Sequence, residues 1–181
     1  GDVYKRQRET PGGIERLELV PDDVPALPEV VAAIRAADLI VLGPGSLFTS
    51  VVAPLLVPEV ATALSDGDAP MVYVCNIMTE AGETDGMDAF AHARALHDHL
   101  GRWPDLVLAN DRAIDPERLA AYRDEAAEQV RVDPAAFAEH GVPVRSAPLV
   151  GSGPYAQHDS VRLAEELIAL AVAARSGKAL R

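Results

Sequence analysis

The chain has one cysteine, Cys75, among 181 residues, so no internal disulfide can staple it. Such sparse cysteine suits a reducing compartment. Cys75 sits in the apolar run MVYVC, where a small buried hydrophobe is expected, and no base close in sequence would activate it as a catalytic thiol. Basic residues are also scarce: 16 Lys and Arg against 28 Asp and Glu leave a net charge of −12. That balance excludes wide nucleic-acid or anionic-membrane surfaces, which need clustered cations. Aromatics make up only 4% of the chain, against an aromatic-rich β-sandwich. No stretch reaches the ~20 apolar residues that cross a bilayer. The opening GDVYKRQRET has no apolar signal-peptide segment, which together with the single cysteine gives a cytoplasmic expectation. The chain also lacks a Cys-x-x-Cys pair, a Walker-type lysine loop, a Ser-His-Asp order and a Gly-x-Gly-x-x-Gly turn.

What is present is an alternation of apolar runs and alanine-rich amphipathic stretches. Residues 14–20 (IERLELV) alternate as a half-buried strand would. Apolar runs at 38–42, 71–75 and 106–109 read as strands, and 142–150 holds a last extended segment. Helices are expected over 29–37, 59–64, 88–100, 116–130, 134–140 and 160–174, with Pro28, Pro58 and Pro116 in or just before their first turns. Asp115 is the expected N-cap of the 116–130 helix. The order predicts an α/β, Rossmann-like domain, a mostly parallel sheet with helices on both faces. Residues 1–7 match the rest of the chain poorly and read as extraneous, 8–175 as one domain, and 176–181 as a tail.

Ligands of such sheets gather beyond the carboxyl ends of the strands. At one of these ends the strand of ADLIVLGPGSLFTS runs into Gly43-Pro44-Gly45-Ser46. Glycine lets a main chain approach a ligand closely, and a following helix would aim free N–H groups at an anion above the turn. Gly43, Gly45, Ser46, Thr49 and Ser50 are therefore candidate ligand contacts, the plain alternative being a tight βα connection. A second candidate is the segment 76–86, NIMTEAGETDG, after the next strand. Asn76 can hydrogen-bond a base or sugar in both directions, and Thr79 and Glu83 can meet hydroxyls. Glu80, Glu83 and Asp85 could instead bind Mg²⁺, or Thr84 or Asp85 could cap the next helix. Asn110 also falls at a strand end. The helix histidines His92, His97 and His99 lack zinc-ligand spacing and read as solvated. His158-Asp159 precedes the last helix, where Asp159 or Ser160 is a natural N-cap and His158 could close over a phosphate or sugar.

Together, ADLIVLGPGSLFTSVVAPLLVPEV, VYVCNIMTEAGETDGMDAFAHARALHDHLG, VLAN and the late HD resemble the gluconeogenesis-factor (YvcK/GlmR) family over residues 12–174. That family is related to CofD, the 2-phospho-L-lactate transferase, in which a Pro-Ser-Asn-Pro-type turn stands where this chain has Gly43–Ser46. The resemblance implies a cytoplasmic UDP-sugar-binding regulator, with UDP-N-acetylglucosamine as ligand, that links carbon metabolism to cell-envelope synthesis and cell shape. A metabolic or envelope-synthesis enzyme is the protein partner it suggests, and a homo-oligomer is compatible with it. The alternative is a CofD-like transferase using a nucleoside-diphosphate donor, the only reading that brings in a cofactor, Mg²⁺. By motif position Gly43, Gly45, Ser46, Thr49 and Ser50 fall in the family's turn, and Asn76, Met78, Thr79, Glu83 and Thr84 in its second loop. Two features depart from the pattern. The family's Gly-Gly-Gly-Thr-Gly turn and Asp-Asp-Gly-Gly segment are missing, which implies a carboxyl-terminal part without the amino-terminal strands, binding ligand weakly on its own. Gln157 also stands where the family often carries arginine before His-Asp.

Overall fold

A computed structural model describes residues 13–14, 16–122 and 126–180. The proposed extraneous segment 1–7 lies outside them. Four parallel strands, β1 (Ile40–Leu42), β2 (Met71–Val74), β3 (Leu106–Asn110) and β4 (Val144–Ala147), form one sheet in that spatial order. Val41 pairs with Val72, Tyr73 with Val107, and Leu108 with Arg145. Helix α1 (Pro28–Arg35) precedes β1, the intervening helices are α2 (Pro58–Asp66), α3 (Ala89–Leu100), α4 (Pro116–Ala120) and α5 (Pro134–Ala138), and α6 (Ser160–Arg175) follows β4.

Every residue of β2 and β3 is buried, which explains why these strands read as unbroken apolar runs. Their alternation divides two cores. Met71, Tyr73, Cys75, Val107 and Ala109 pack with Leu96 of α3 and Phe137 of α5. Val72, Val74, Leu106 and Leu108 pack with Leu163 and Leu170 of α6. The expected parallel sheet with helices on both faces is thus present. Its four strands run in a single order without reversal.

Local differences have physical causes. Residues 14 and 16–20 form no strand: Ile14 and Leu17 pack against the first core, and the Leu17 N–H donates to His99 Nε2 at 3.1 Å. The helix expected over 116–130 ends at Ala120, where the chain turns; the Ala127 N–H returns to the Tyr122 carbonyl at 3.2 Å, and Ala126 has a positive φ of 52°. Asp115 makes no side-chain cap for α4, whereas Asp133 caps α5 and Asp159 caps α6 through the Val161 and Arg162 N–H groups. After β1 the chain forms a six-residue π-helical segment, Leu47–Val52, then a 3-10 turn, Ala53–Leu56, that admits Pro54 near its start. No single helix among the described residues is long and apolar enough to span a membrane. The apolar pair formed by Leu47–Leu56 and α2 bends by 86° and buries Leu47, Val52, Leu55 and Leu64 in the first core.

Candidate functional site

Beyond the carboxyl ends of β1 and β2 lies a cavity of about 600 Å³, within the range of ligand sites. The turn after β1 forms one wall with Pro44, Gly45 and Ser46. The loop after β2 forms another, from Asn76 to Glu83, and Gln157 and His158 close a third side.

The first wall depends on glycine. Gly43 has a φ of +83°, and a Cβ there would lie 2.9 Å from the Val74 carbonyl oxygen. Only glycine fits between β1 and β2 at this point. Gly45 differs: a Cβ would meet nothing closer than Ser50 Cβ at 3.5 Å, an ordinary contact, so an alanine fits there. The Gly45 N–H donates to Asn76 Oδ1 at 3.4 Å, and Asn76 Nδ2 donates to Glu80 Oε1 at 3.5 Å. The two walls are therefore stitched through one asparagine side chain. The expected full helix dipole is reduced, because a six-residue π-helical segment capped only by backbone follows the turn.

Of the eleven candidate ligand residues, the cavity brings together Gly45, Ser46, Asn76, Met78, Thr79, Glu83 and His158. Thr49 and Ser50 are exposed, and Gly43 and Thr84 stand outside the cavity lining. The two threonines of the second loop serve its shape. Thr79 is buried, accepts the Glu128 N–H at 2.8 Å through its hydroxyl, and sends its own N–H to the Glu128 carbonyl. Thr84, fully buried, accepts the Glu80 N–H at 2.8 Å. Neither Thr84 nor Asp85 caps α3; Asp88 does, accepting the Ala91 N–H at 2.8 Å. Asn110 is committed as well. Its Oδ1 accepts the Leu149 and Val150 N–H groups at 3.0 Å each, and its Nδ2 donates to the Arg112 carbonyl.

Of the helix histidines expected to be solvated, His92 is fully buried, whereas His97 and His99 are half-buried. His92 Nδ1 is bonded to the Asp88 carbonyl at 2.8 Å, His99 bonds the Ala95 carbonyl, and His97 stacks on Trp103 at 4.4 Å. Among the described residues, no three His, Cys, Asp or Glu side chains converge as a metal site.

Among the described residues lining the cavity there is no Lys or Arg, and burial dominates its electrostatics. Glu83 is 7% exposed, its Oε2 has no hydrogen-bond partner, and its carboxyl is pushed up by burial; the Thr49 hydroxyl and Phe48 N–H oppose the shift and Glu80 adds to it. His158 is pushed down by burial, against the Cys75 carbonyl, and its Nε2 has no partner. The Cys75 thiol is pushed up to about 12, chiefly by burial, so it is inert as a nucleophile. Tyr122 was not legible as a cavity residue in the sequence. The break after Ala120 carries it to the cavity wall, where its hydroxyl accepts the Ala156 N–H at 2.8 Å.

Comparison with known proteins sets this arrangement in context. The family model described as 2-phospho-L-lactate transferase CofD matches residues 2–150. The gluconeogenesis factor of Bacillus subtilis is 36% identical over 87% of this chain and 50% of its own length. That of Halalkalibacterium halodurans is 46% identical over 66% of this chain and 38% of its own. A crystallised member of the UPF0052 family from Bacillus halodurans shares the fold with a TM-score of 0.86 and 38% identity, over 91% of this chain and 54% of that one. The chain spans about half the length of these relatives or less.

Proposed function

The chain belongs to the CofD-like family, among its gluconeogenesis factors, and on that premise we propose that its cavity binds a UDP-sugar, UDP-N-acetylglucosamine, as a regulatory ligand. The observation that carries this reading is the cavity itself. Backbone of a glycine turn, an asparagine with both amide groups facing neighbours, and an acidic wall meet over the carboxyl ends of parallel strands. The glycine turn brings main chain to the cavity surface, where phosphate oxygens can approach it, and hydroxyl-bearing sugars suit the carboxylate side. Regulation of cell-envelope synthesis and cell shape in the cytoplasm, through contact with an enzyme of those pathways, follows from the same reading. Isothermal titration with UDP-N-acetylglucosamine tests it: saturable binding supports the proposal, and no heat at millimolar ligand removes it.

A second reading, transfer from a nucleoside-diphosphate donor, is favoured by the description of the matching family model. Mg²⁺ in such a site is usually held by one or two carboxylates together with the donor's phosphates, and Glu80 and Glu83 are the carboxylates that line the cavity; no step is derived through the ion. Metal-dependent product formation in a screen of nucleotide donors would favour transfer over regulation.

A further inference from the structure

His158 borders the cavity with an unmatched nitrogen. Its ring is half-buried on the third side, and its Nε2 is shielded from solvent without a hydrogen-bond partner. The other ring nitrogen, Nδ1, meets the Cys75 carbonyl just past β2. A carbonyl only accepts, so Nδ1 carries the proton and donates, and in the neutral ring Nε2 is left as a lone pair. The main chain fixes where that lone pair sits. His158 pairs with Val150 in an antiparallel bridge, the Gly151 N–H donates to the Gln157 carbonyl at 2.9 Å, and the Asp159 N–H donates to the Leu149 carbonyl at 2.7 Å. An acceptor hidden from water costs stability until a donor reaches it, and the cavity is the space from which one can come.

The surroundings of His158 differ from the other two walls. Its bridge partner Val150 and its neighbour Ala156 are buried with Ile77 and Met78 in one small apolar cluster. Ala156, Ile77 and Met78 also line the cavity. The glycine turn offers main chain and the second loop offers carboxylates, whereas this side offers apolar surface with a single acceptor. A flat, weakly polar ring whose edge carries an N–H suits it, and a charged diphosphate does not.

We propose that His158 Nε2 accepts a hydrogen bond from the imide N–H of a uracil base, so that this residue selects uridine over cytidine nucleotides. On the nucleotide-sugar reading, on which this assignment rests, the base lies toward His158, Ala156 and Met78 and the phosphates toward the glycine turn. Uracil carries a hydrogen on N3 and donates there. Cytosine carries a lone pair on N3, which would face the Nε2 lone pair with no proton between them. A site built to bond a donor rejects an analogue lacking it, because its buried acceptor is then left unpaired.

Two measurements on the whole chain test the proposal separately from the function it rests on. Nitrogen-15 NMR of the ligand-free protein at about pH 8, above the ordinary histidine pKa of about 6.5, is expected to show His158 with a protonated Nδ1 and a bare Nε2. The reverse tautomer overturns the proposal, whether or not any nucleotide binds. Calorimetric titration with UDP, CDP and UDP methylated at N3 then compares bases on a common diphosphate. The wild type should bind UDP at least about fivefold more tightly than either of the others. His158→Asn keeps an amide N–H for the Cys75 carbonyl and removes the Nε2 acceptor. It should lose about fivefold for UDP, leave CDP unchanged and so bind the two alike. Equal binding of UDP and CDP by the wild type overturns the uracil assignment and leaves a sugar-nucleotide site standing. Discrimination that survives in His158→Asn overturns the role of His158. No binding of UDP, CDP or UDP-N-acetylglucosamine removes the nucleotide reading and the base assignment with it.

Discussion

Asn76 accepts the Gly45 N–H at 3.4 Å and so joins the loops that follow two neighbouring parallel strands, β1 and β2. The same side chain continues to Glu80, making one amide the hinge between the glycine wall and the acidic wall of the cavity. Asn76→Ala should therefore weaken UDP-N-acetylglucosamine binding by at least about fivefold, the equivalent of one lost hydrogen bond, in a calorimetric titration. Because Asn76 is only half-buried, the melting temperature should move little. Large destabilisation with unchanged affinity would make it a purely structural residue.

The two glycines of the turn should differ in what a side chain costs the fold. Gly43→Ala introduces a positive-φ strain and a 2.9 Å approach to the Val74 carbonyl, and is expected to cost about 1–3 kcal/mol or more in chemical denaturation. Gly45→Ala meets only an ordinary contact at 3.5 Å. It should leave the denaturation midpoint nearly unchanged. Equal effects of the two substitutions on stability would contradict this division.

Asn110 should behave as a structural clamp. Its removal strands the Leu149 and Val150 N–H groups in a buried site, so Asn110→Ala should destabilise the protein by about 2–4 kcal/mol. Urea denaturation measures the cost, and a loss below about 0.5 kcal/mol, the usual range for surface substitutions, would contradict the clamp.

Acid should weaken the fold through two histidines. Burial lowers the pKa of both His92 and His158, so the unfolded chain takes up protons first as pH falls. The stability present above about pH 6.5, the unfolded value, is then lost progressively down to the folded values. His92→Leu removes a buried ring nitrogen that has no partner. It should cost less than about 1.5 kcal/mol at neutral pH and flatten the acid slope of melting temperature against pH. An unchanged slope would show that His92 does not contribute to it.

Cys75 should resist thiol reagents while the protein is folded, since it is 1% exposed and its thiol stays protonated far above neutral pH. Modification by an aromatic disulfide reagent should track global unfolding in urea. Rapid modification of the native protein would contradict its burial.

The strands were legible in the sequence because β2 and β3 are buried on both faces and are almost wholly apolar, Asn110 at the end of β3 apart. The cavity's position was legible for the same reason, as polar loops must follow such strands. The helix over 116–130 was not. Its alanine and glutamate content favours helix, but the tertiary packing that sets Tyr122 against Ala156 and the cavity overrides that local preference. The alternation at 14–20 promised a strand, yet its apolar residues pack directly on the first core and Leu17 finds a histidine ring as hydrogen-bond partner. Thr79, Thr84 and Asn110 show a general difficulty. Polar side chains at strand ends can serve a ligand or their own backbone, and only the fold decides which.

The central claim is that the space bounded by Gly45, Asn76 and Glu80 is a UDP-sugar site. Its most direct test is a calorimetric titration of the chain and its Asn76→Ala variant with UDP-N-acetylglucosamine. Saturable binding by the wild type, weakened at least about fivefold in a variant of equal stability, is the predicted result, corresponding to loss of about 1 kcal/mol. Equal binding by the two proteins, or no binding by the wild type at millimolar ligand, would contradict it.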